Sequence, residues 1–112
     1  MANPSKAKGT AWESAVVEYL RTHGFPWAER RALSGSADKG DVSGIPGVVI
    51  EAKACREITL ASFMDEVAIE TGNAGASVGV AVVKRRNRSV ADGYAVMTLE
   101  TLARLLADEE SP

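Results

Sequence analysis

The run Val48-Val49-Ile50-Glu51-Ala52-Lys53-Ala54 constrains this chain more than any other segment. It is rich in β-branched residues, which reads as a central strand. Side chains alternate across a strand, so Val48, Ile50 and Ala52 share one apolar face while Glu51 and Lys53 project from the other. Ile45-Pro46-Gly47 precedes the run as a turn, with residues 41–44 as the other arm of a hairpin. If that turn centres on Pro46, Asp41 stands opposite Glu51, and directly opposed Cβ atoms lie about 4.5–5.5 Å apart.

The remaining elements follow from periodicity. Thr10 reads as the N-cap of a first helix, with Glu13 three residues later completing a capping box. Trp12, Val16, Tyr19 and Leu20 form its apolar face, and Gly24 after His23 stops it. Residues 26–31 fit a short strand, and residues 33–40 a loop rich in Ser and Gly. A second helix fits residues 60–73, with Leu60, Phe63, Met64, Val67 and Ala68 on one face and Gly72 and Gly75 marking its end. Residues 78–84 read as a buried strand and 94–97 as another, with 84–93 linking them. Thr98 caps a last helix whose Leu99, Leu102, Leu105 and Leu106 are expected to face inward. The order α-β-β-β-α-β-β-α implies an α/β fold, a mixed central sheet flanked by helices.

The length of 112 residues fits a single domain, with the ends, 1–8 and 108–112, expected as tails. A chain this short buries a modest core, which makes a dimer advantageous. The formal net charge of −2 excludes a histone-like polycation but leaves room for a local basic patch. Residues 1–56 hold eight basic and six acidic side chains, and residues 57–112 five basic and nine acidic. Cys55 is the only cysteine, so there is no internal disulfide and no cysteine-based zinc site. No apolar run approaches 18 residues, and the N-terminus lacks the apolar stretch of a secretory signal. Together with the lone cysteine, this points to the cytoplasm.

Two carboxylates facing each other repel unless a cation sits between them. Mg²⁺ takes hard oxygen ligands and often uses one or two carboxylates together with substrate phosphate. Asp41 and Glu51 fit that role, and Lys53, on the same face, fits that of a cation beside a phosphate. The same residues also fit the solvated face of an antiparallel sheet, and the capping box accounts for Glu13 without any metal. Asp38 competes with Asp41; Asp41 is preferred because Val42 follows it and the hairpin register sets it against Glu51. Lys84-Arg85-Arg86-Asn87-Arg88 puts four cations in five residues at a strand end, which suits a phosphate clamp. Arg30, Arg31 and Lys39 flank the site and extend that track, while Lys6 and Lys8 fit either a DNA-binding arm or a solubilising tail. His23 reads as structural at a helix end, Trp12 and Trp27 as core or interface, and Cys55 as a buried or half-buried small residue. Asp65, Glu66 and Glu70 read as the solvated face of the second helix, or one of them as a hydrogen-bonding neighbour of the metal ligands.

Gly9-Thr10-Ala11-Trp12-Glu13, Gly24-Phe25, Arg30 to Ser36, Gly40-Asp41-Val42 and Val49-Ile50-Glu51-Ala52-Lys53 together resemble the PD-(D/E)xK nuclease superfamily. Within it the pattern is similar to the archaeal-type Holliday junction resolvases and their relatives in actinobacterial phages. The resemblance covers about residues 8–105, and its specific part is 9–53. It implies a restriction-endonuclease-like core, two Mg²⁺ or Mn²⁺ ions, and hydrolysis of DNA phosphodiesters. It further implies Asp41, Glu51 and the Ala52 carbonyl as metal ligands, Glu13 completing the site directly or through water, and Lys53 as the catalytic lysine. Ser34 and Ser36 fall in the loop that approaches DNA in the resolvases. A four-way junction has two-fold symmetry, so paired cuts imply a homodimer. The alternatives are another structure-selective or nicking phage nuclease of the same superfamily, or a non-catalytic DNA-binding module on the same fold. The chain departs from the pattern in having Gly40 where a proline often stands, and its charge is less basic than a junction binder's.

Overall fold

The computed structural model describes residues 4–32 and 37–110. Its elements are α1 (Pro4–Arg21), β1 (Glu29–Arg30), β2 (Val42–Ser43), β3 (Val48–Lys53), α2 (Leu60–Ala74), β4 (Val78–Val83), β5 (Tyr94–Val96) and α3 (Leu99–Glu110), with a short 3-10 turn at Val90–Asp92 before β5. This is the expected order, and the protein is an α/β fold with a mixed sheet. β3 and β4 run parallel, with Glu51 beside Ala81 and Lys53 beside Val83. β5 pairs antiparallel with β4, giving the order β3-β4-β5. A parallel pair needs a crossover, and α2 provides it.

Helices cover both faces of this narrow sheet. On one face Trp12, Val16 and Val17 of α1 pack with Ile50, Ala28 and Val42. The Trp12 indole donates to the Val82 carbonyl at 3.0 Å, so the largest core side chain is also polar-satisfied. On the other face Phe63 and Val67 of α2 pack on Ala81 and Val83. Gly79 lets α2 come this close, because a Cβ there would run into Val67 and Thr71. α2 ends at Gly75, in the left-handed conformation, whose N–H reaches the Gly72 carbonyl at 3.1 Å.

Several expectations are corrected. α1 begins at Pro4, not at Thr10, so Thr10 lies within the helix and the capping box with Glu13 does not form. Proline suits a first helical turn, and Gly9 costs only about 1 kcal/mol relative to alanine, too little to stop the helix. Likewise α3 continues to Glu110, so the helices take in most of both expected tails. The strand expected at 26–31 shrinks to two residues, because Ala28 N–H closes a turn onto the Phe25 carbonyl at 3.0 Å. The second arm of the hairpin does not ladder with β3. Instead β2 pairs antiparallel with β1, Arg30 beside Val42 and Glu29 beside Ser43. Gly44, at φ +90, brings that arm against the Trp27 carbonyl, where a side chain would collide.

The largest departure is α3. Thr98 caps it as expected, its hydroxyl accepting from Thr101 N–H at 3.2 Å. Yet Leu99, Leu102, Leu105 and Leu106 are exposed, and Thr101 is buried. A three-stranded sheet offers two faces, α1 and α2 already occupy both, and β5 is only three residues long. An Arg104 guanidinium bond to the Ser77 carbonyl at 3.0 Å ties the helix back. Cys55, just past the end of β3, is exposed rather than buried, and Trp27 is 79% exposed. Among the described residues, no helix is long and apolar enough to cross a membrane.

Candidate metal and phosphate site

β3 keeps the alternation its sequence dictates. Val48, Ile50 and Ala52 join the α1 cluster, which leaves Val49, Glu51 and Lys53 for the α2 side. That charged side is covered by α2, not solvated. Phe63, Glu66, Val67 and Glu70 recur at helical spacing on α2 and meet it. Lys53 Nζ reaches Glu66 at 2.5 Å and Glu51 Oε1 at 3.6 Å, and lies 5.2 Å from the centre of the Phe63 ring. Glu51 is 8% exposed and Glu70 1%. Asp65 and Glu66 are exposed as expected, but Glu70 is buried, so its placement on a solvated face is wrong. Position 70 extends the Phe63–Val67 stripe by i+7 and i+3, a signal that its charge concealed.

Asp41 reaches the free edge of β3 by another route than a hairpin register. Gly40 adopts φ +92, and a Cβ there would lie 2.9 Å from both the Ile50 carbonyl oxygen and Val49 Cγ1. Only glycine fits that approach, which is why this position does without a proline. Asp41 N–H then donates to the Ile50 carbonyl at 2.8 Å, and its Oδ2 accepts from Ala52 N–H at 2.8 Å. The Lys53 carbonyl accepts from Lys84 N–H at 2.8 Å, so residue 53 turns its backbone groups toward β4. By alternation, residue 52 turns its carbonyl toward the Asp41 edge.

Two further acids join. Glu13 lies beside Asp41 on the wall of a cavity of about 530 Å³ that Arg30, Arg31 and Lys39 also line. Arg30 Nη2 stands 3.9 Å from Glu13 Oε2. Asp38 lines the same cavity, and one carboxylate oxygen each of Asp38, Glu51 and Glu70 fall within 4.8 Å of one another. Both aspartates weighed as rivals thus approach Glu51. Ser34, Ser36 and the Lys6 side chain lie outside the described residues.

The electrostatics record this crowding. Burial raises the pKa of Glu51 to about 9, helped by Glu70 and the Asp41 charge and opposed by Lys53. Burial likewise lifts Glu70 to about 7. Asp41 is raised by burial although the Ala52 N–H favours its ionised form, and Glu13 is raised by burial and by Asp41. Burial alone would lower Lys53, but the hydrogen bond to Glu66 and the charges of Glu51 and Glu66 outweigh it, so Lys53 stays a cation. Among the described residues, Glu51 Oε2 and both carboxylate oxygens of Glu70 are buried without a hydrogen-bond partner.

A second cavity, of about 360 Å³, opens beyond the end of β3. Lys8, Arg56, Lys84, Arg85 and Arg86 line it with Tyr94, and among the described residues no acid does. Arg85 lies 5.9 Å from the Tyr94 ring centre. Arg88 is not part of it and pairs with Asp92 at 3.2 Å, so the basic run divides. Arg56 is the cation that the sequence pattern did not single out for binding, standing alone as it does. His23, stacked on Tyr19 with ring centres 3.9 Å apart, closes the end of α1. Compared with known proteins, the chain matches no family model, no curated protein and no solved structure.

Proposed function

We propose that this protein is a metal-dependent DNA endonuclease that acts as a homodimer on four-way junctions. One observation carries the hydrolytic reading: the buried Glu51 carboxylate, with Oε2 unpartnered, lies between Lys53 and Asp41 at a strand edge flanked by cations. Buried carboxylate oxygens without donors are costly unless a proton or a cation compensates them. The donor set is all oxygen, which fits Mg²⁺ or Mn²⁺. Asp41, Glu51 and the Ala52 carbonyl would hold the ion, with Glu13 completing the set directly or through water. When bound, such an ion lowers the pKa of a water and polarises a phosphoryl oxygen.

The chain's own residues do the rest. Lys53, fixed between Glu51 and Glu66, holds a positive charge where the phosphate oxygens gain negative charge. Arg30, Arg31 and Lys39 on one side and Lys84, Arg85 and Arg86 on the other neutralise flanking phosphates, which supplies affinity without sequence preference. The restriction-endonuclease-like fold, the junction preference and the pairing of two copies rest on the motif resemblance.

The test sets a labelled four-way junction beside linear duplex, nicked duplex and single strands, with Mg²⁺ and with Glu51→Ala as control. Paired symmetric cuts confined to the junction, absent from the variant, are expected. Cuts spread over the other substrates would keep the nuclease and discard the junction role. Retained binding with no cleavage in Mg²⁺ or Mn²⁺ would leave a non-catalytic DNA-binding module.

A further inference from the structure

The parallel strands β3 and β4 end side by side, with the Lys84 N–H donating to the Lys53 carbonyl at 2.8 Å. Ligands of open α/β sheets gather outside the carboxyl ends of such strands. The cavity of about 360 Å³ opens at that place, between the residues that follow β3 and those that follow β4. Five of the chain's 13 lysines and arginines line it: Lys8, Arg56, Lys84, Arg85 and Arg86. Among the described residues no acid lines it and none of the five forms an ion pair, whereas Arg88, two residues beyond Arg86, is paired with Asp92. Like charges gathered without a counter-charge repel, and an anion relieves them. Tyr94 lines the same cavity and is 47% exposed. Arg85 lies 5.9 Å from its ring centre, a cation–π contact that keeps ring and guanidinium together.

Unpaired cations and an exposed aromatic ring in one concave site match a phosphate joined to an unstacked base. In intact duplex the bases stack on one another, and extruding one costs free energy that an already unpaired base does not require. We propose that this cavity holds one unpaired nucleotide of a DNA strand, its base stacked on Tyr94 and its phosphate among Arg56, Lys84 and Arg86. The volume is adequate, since ligand pockets run upward from about 300 Å³. This rests on the reading of the protein as a DNA-binding enzyme and adds to it. Neutralised phosphates give affinity for any DNA, whereas a base seated on Tyr94 tells interrupted DNA from continuous duplex. Arg56 follows Lys53 by three residues, a chain span of no more than about 11 Å, so one strand can reach both places.

Fluorescence anisotropy of the full chain in EDTA, where no cleavage is expected, compares a duplex carrying one unpaired thymidine with the same duplex fully paired. The unpaired thymidine should tighten binding by about 5–150-fold, the equivalent of one base stacked on an aromatic side chain. Tyr94→Ala should lose that gain and Tyr94→Phe keep it, and an abasic residue in place of the thymidine should lose it too. Tyr94 is half exposed, so both variants should fold; circular dichroism verifies it. Cys55, exposed on the cavity wall, gives a second reading: the duplex with the unpaired thymidine should slow its alkylation by iodoacetamide more than the paired duplex does. Equal affinity for the two duplexes, or a gain that survives Tyr94→Ala, would overturn the nucleotide site and spare the nuclease reading. Thymidine monophosphate that shields Cys55 as well as the DNA does would assign the cavity to a free nucleotide and overturn its use by a strand. No binding of either duplex would overturn both readings.

Discussion

The two faces of β3 are built from alternate residues of one six-residue strand and serve opposite ends. Toward α1, Ile50 and its neighbours pack against Trp12, Val16 and Val17 in an apolar cluster whose one indole N–H is satisfied by the Val82 carbonyl. Toward α2, Val49 is followed by Glu51 and Lys53, which face Glu70 and Glu66. The first face accounts for stability through apolar burial. The second withdraws carboxylates from water, which opposes folding unless protons or cations compensate. The contrast teaches where this fold accepts a cost, and that cost is concentrated where the sheet edge, the Asp41 backbone and α2 meet.

The largest expected effect is functional. Glu51→Ala should reduce DNA cleavage to background and leave DNA affinity equal or higher, since a ligand and a negative charge near phosphate are both removed. Cleavage at the wild-type rate would take Glu51 out of the site. Next comes stability on the opposite face: Ile50→Ala should cost about 2–5 kcal/mol in urea unfolding. Glu51→Gln, one residue on, should leave the metal-free protein at least as stable as wild type. Equal losses from the two substitutions would erase the distinction between the faces.

Acidity sharpens the same contrast. Glu51 and Glu70 are raised from an ordinary 4.5 to about 9 and about 7, so the folded protein binds protons more tightly than the unfolded chain. Their stabilising contribution is therefore complete below about pH 4.5 and is lost as pH rises through about 7 to 9. Metal-free protein should melt lower at pH 9 than at pH 6, by roughly 4–8 °C for each kcal/mol lost. Mn²⁺ should narrow that gap, and a flat profile in calorimetry would contradict the burial of these acids. Smaller still, Arg85→Ala with Arg86→Ala should flatten the logarithmic salt dependence of DNA binding by about 0.9 for each phosphate that is no longer neutralised. The smallest change belongs to α3: Leu106→Gln should shift the unfolding free energy by under about 0.5 kcal/mol, because this leucine is 51% exposed. A larger loss in denaturant titrations would mean that the leucine stripe is covered in solution.

The two helices that follow β3 show how far the sequence could be read. Both carry apolar stripes at helical spacing, and their boundaries follow from that spacing with Gly75 and Thr98 as punctuation. Spacing says which residues share a stripe, not whether a neighbour waits to receive it. α2 finds the sheet and buries an acid within its stripe; α3 finds both sheet faces taken and leaves its leucines outside. The same limit explains the hairpin. Ile45-Pro46-Gly47 does mark a reversal, but whether the arm pairs with β3 or β1 depended on Gly44 passing the Trp27 carbonyl. Glu13 shows the converse, because a local capping signal lost to a helix that runs through it.

The sequence alone determined the element order, the alternation of β3 and the placing of Glu51 and Lys53 on one of its faces. These are local consequences of side-chain period and turn chemistry, which neighbours in the chain control. Only the tertiary structure decided that α2 covers that face, that Glu70 and Asp38 join Glu51, and that Asp41 arrives through the backbone of Gly40. Those contacts join residues as far as 35 positions apart, as between Asn73 and Asp38. They depend on how closely elements can pack, which no local pattern encodes.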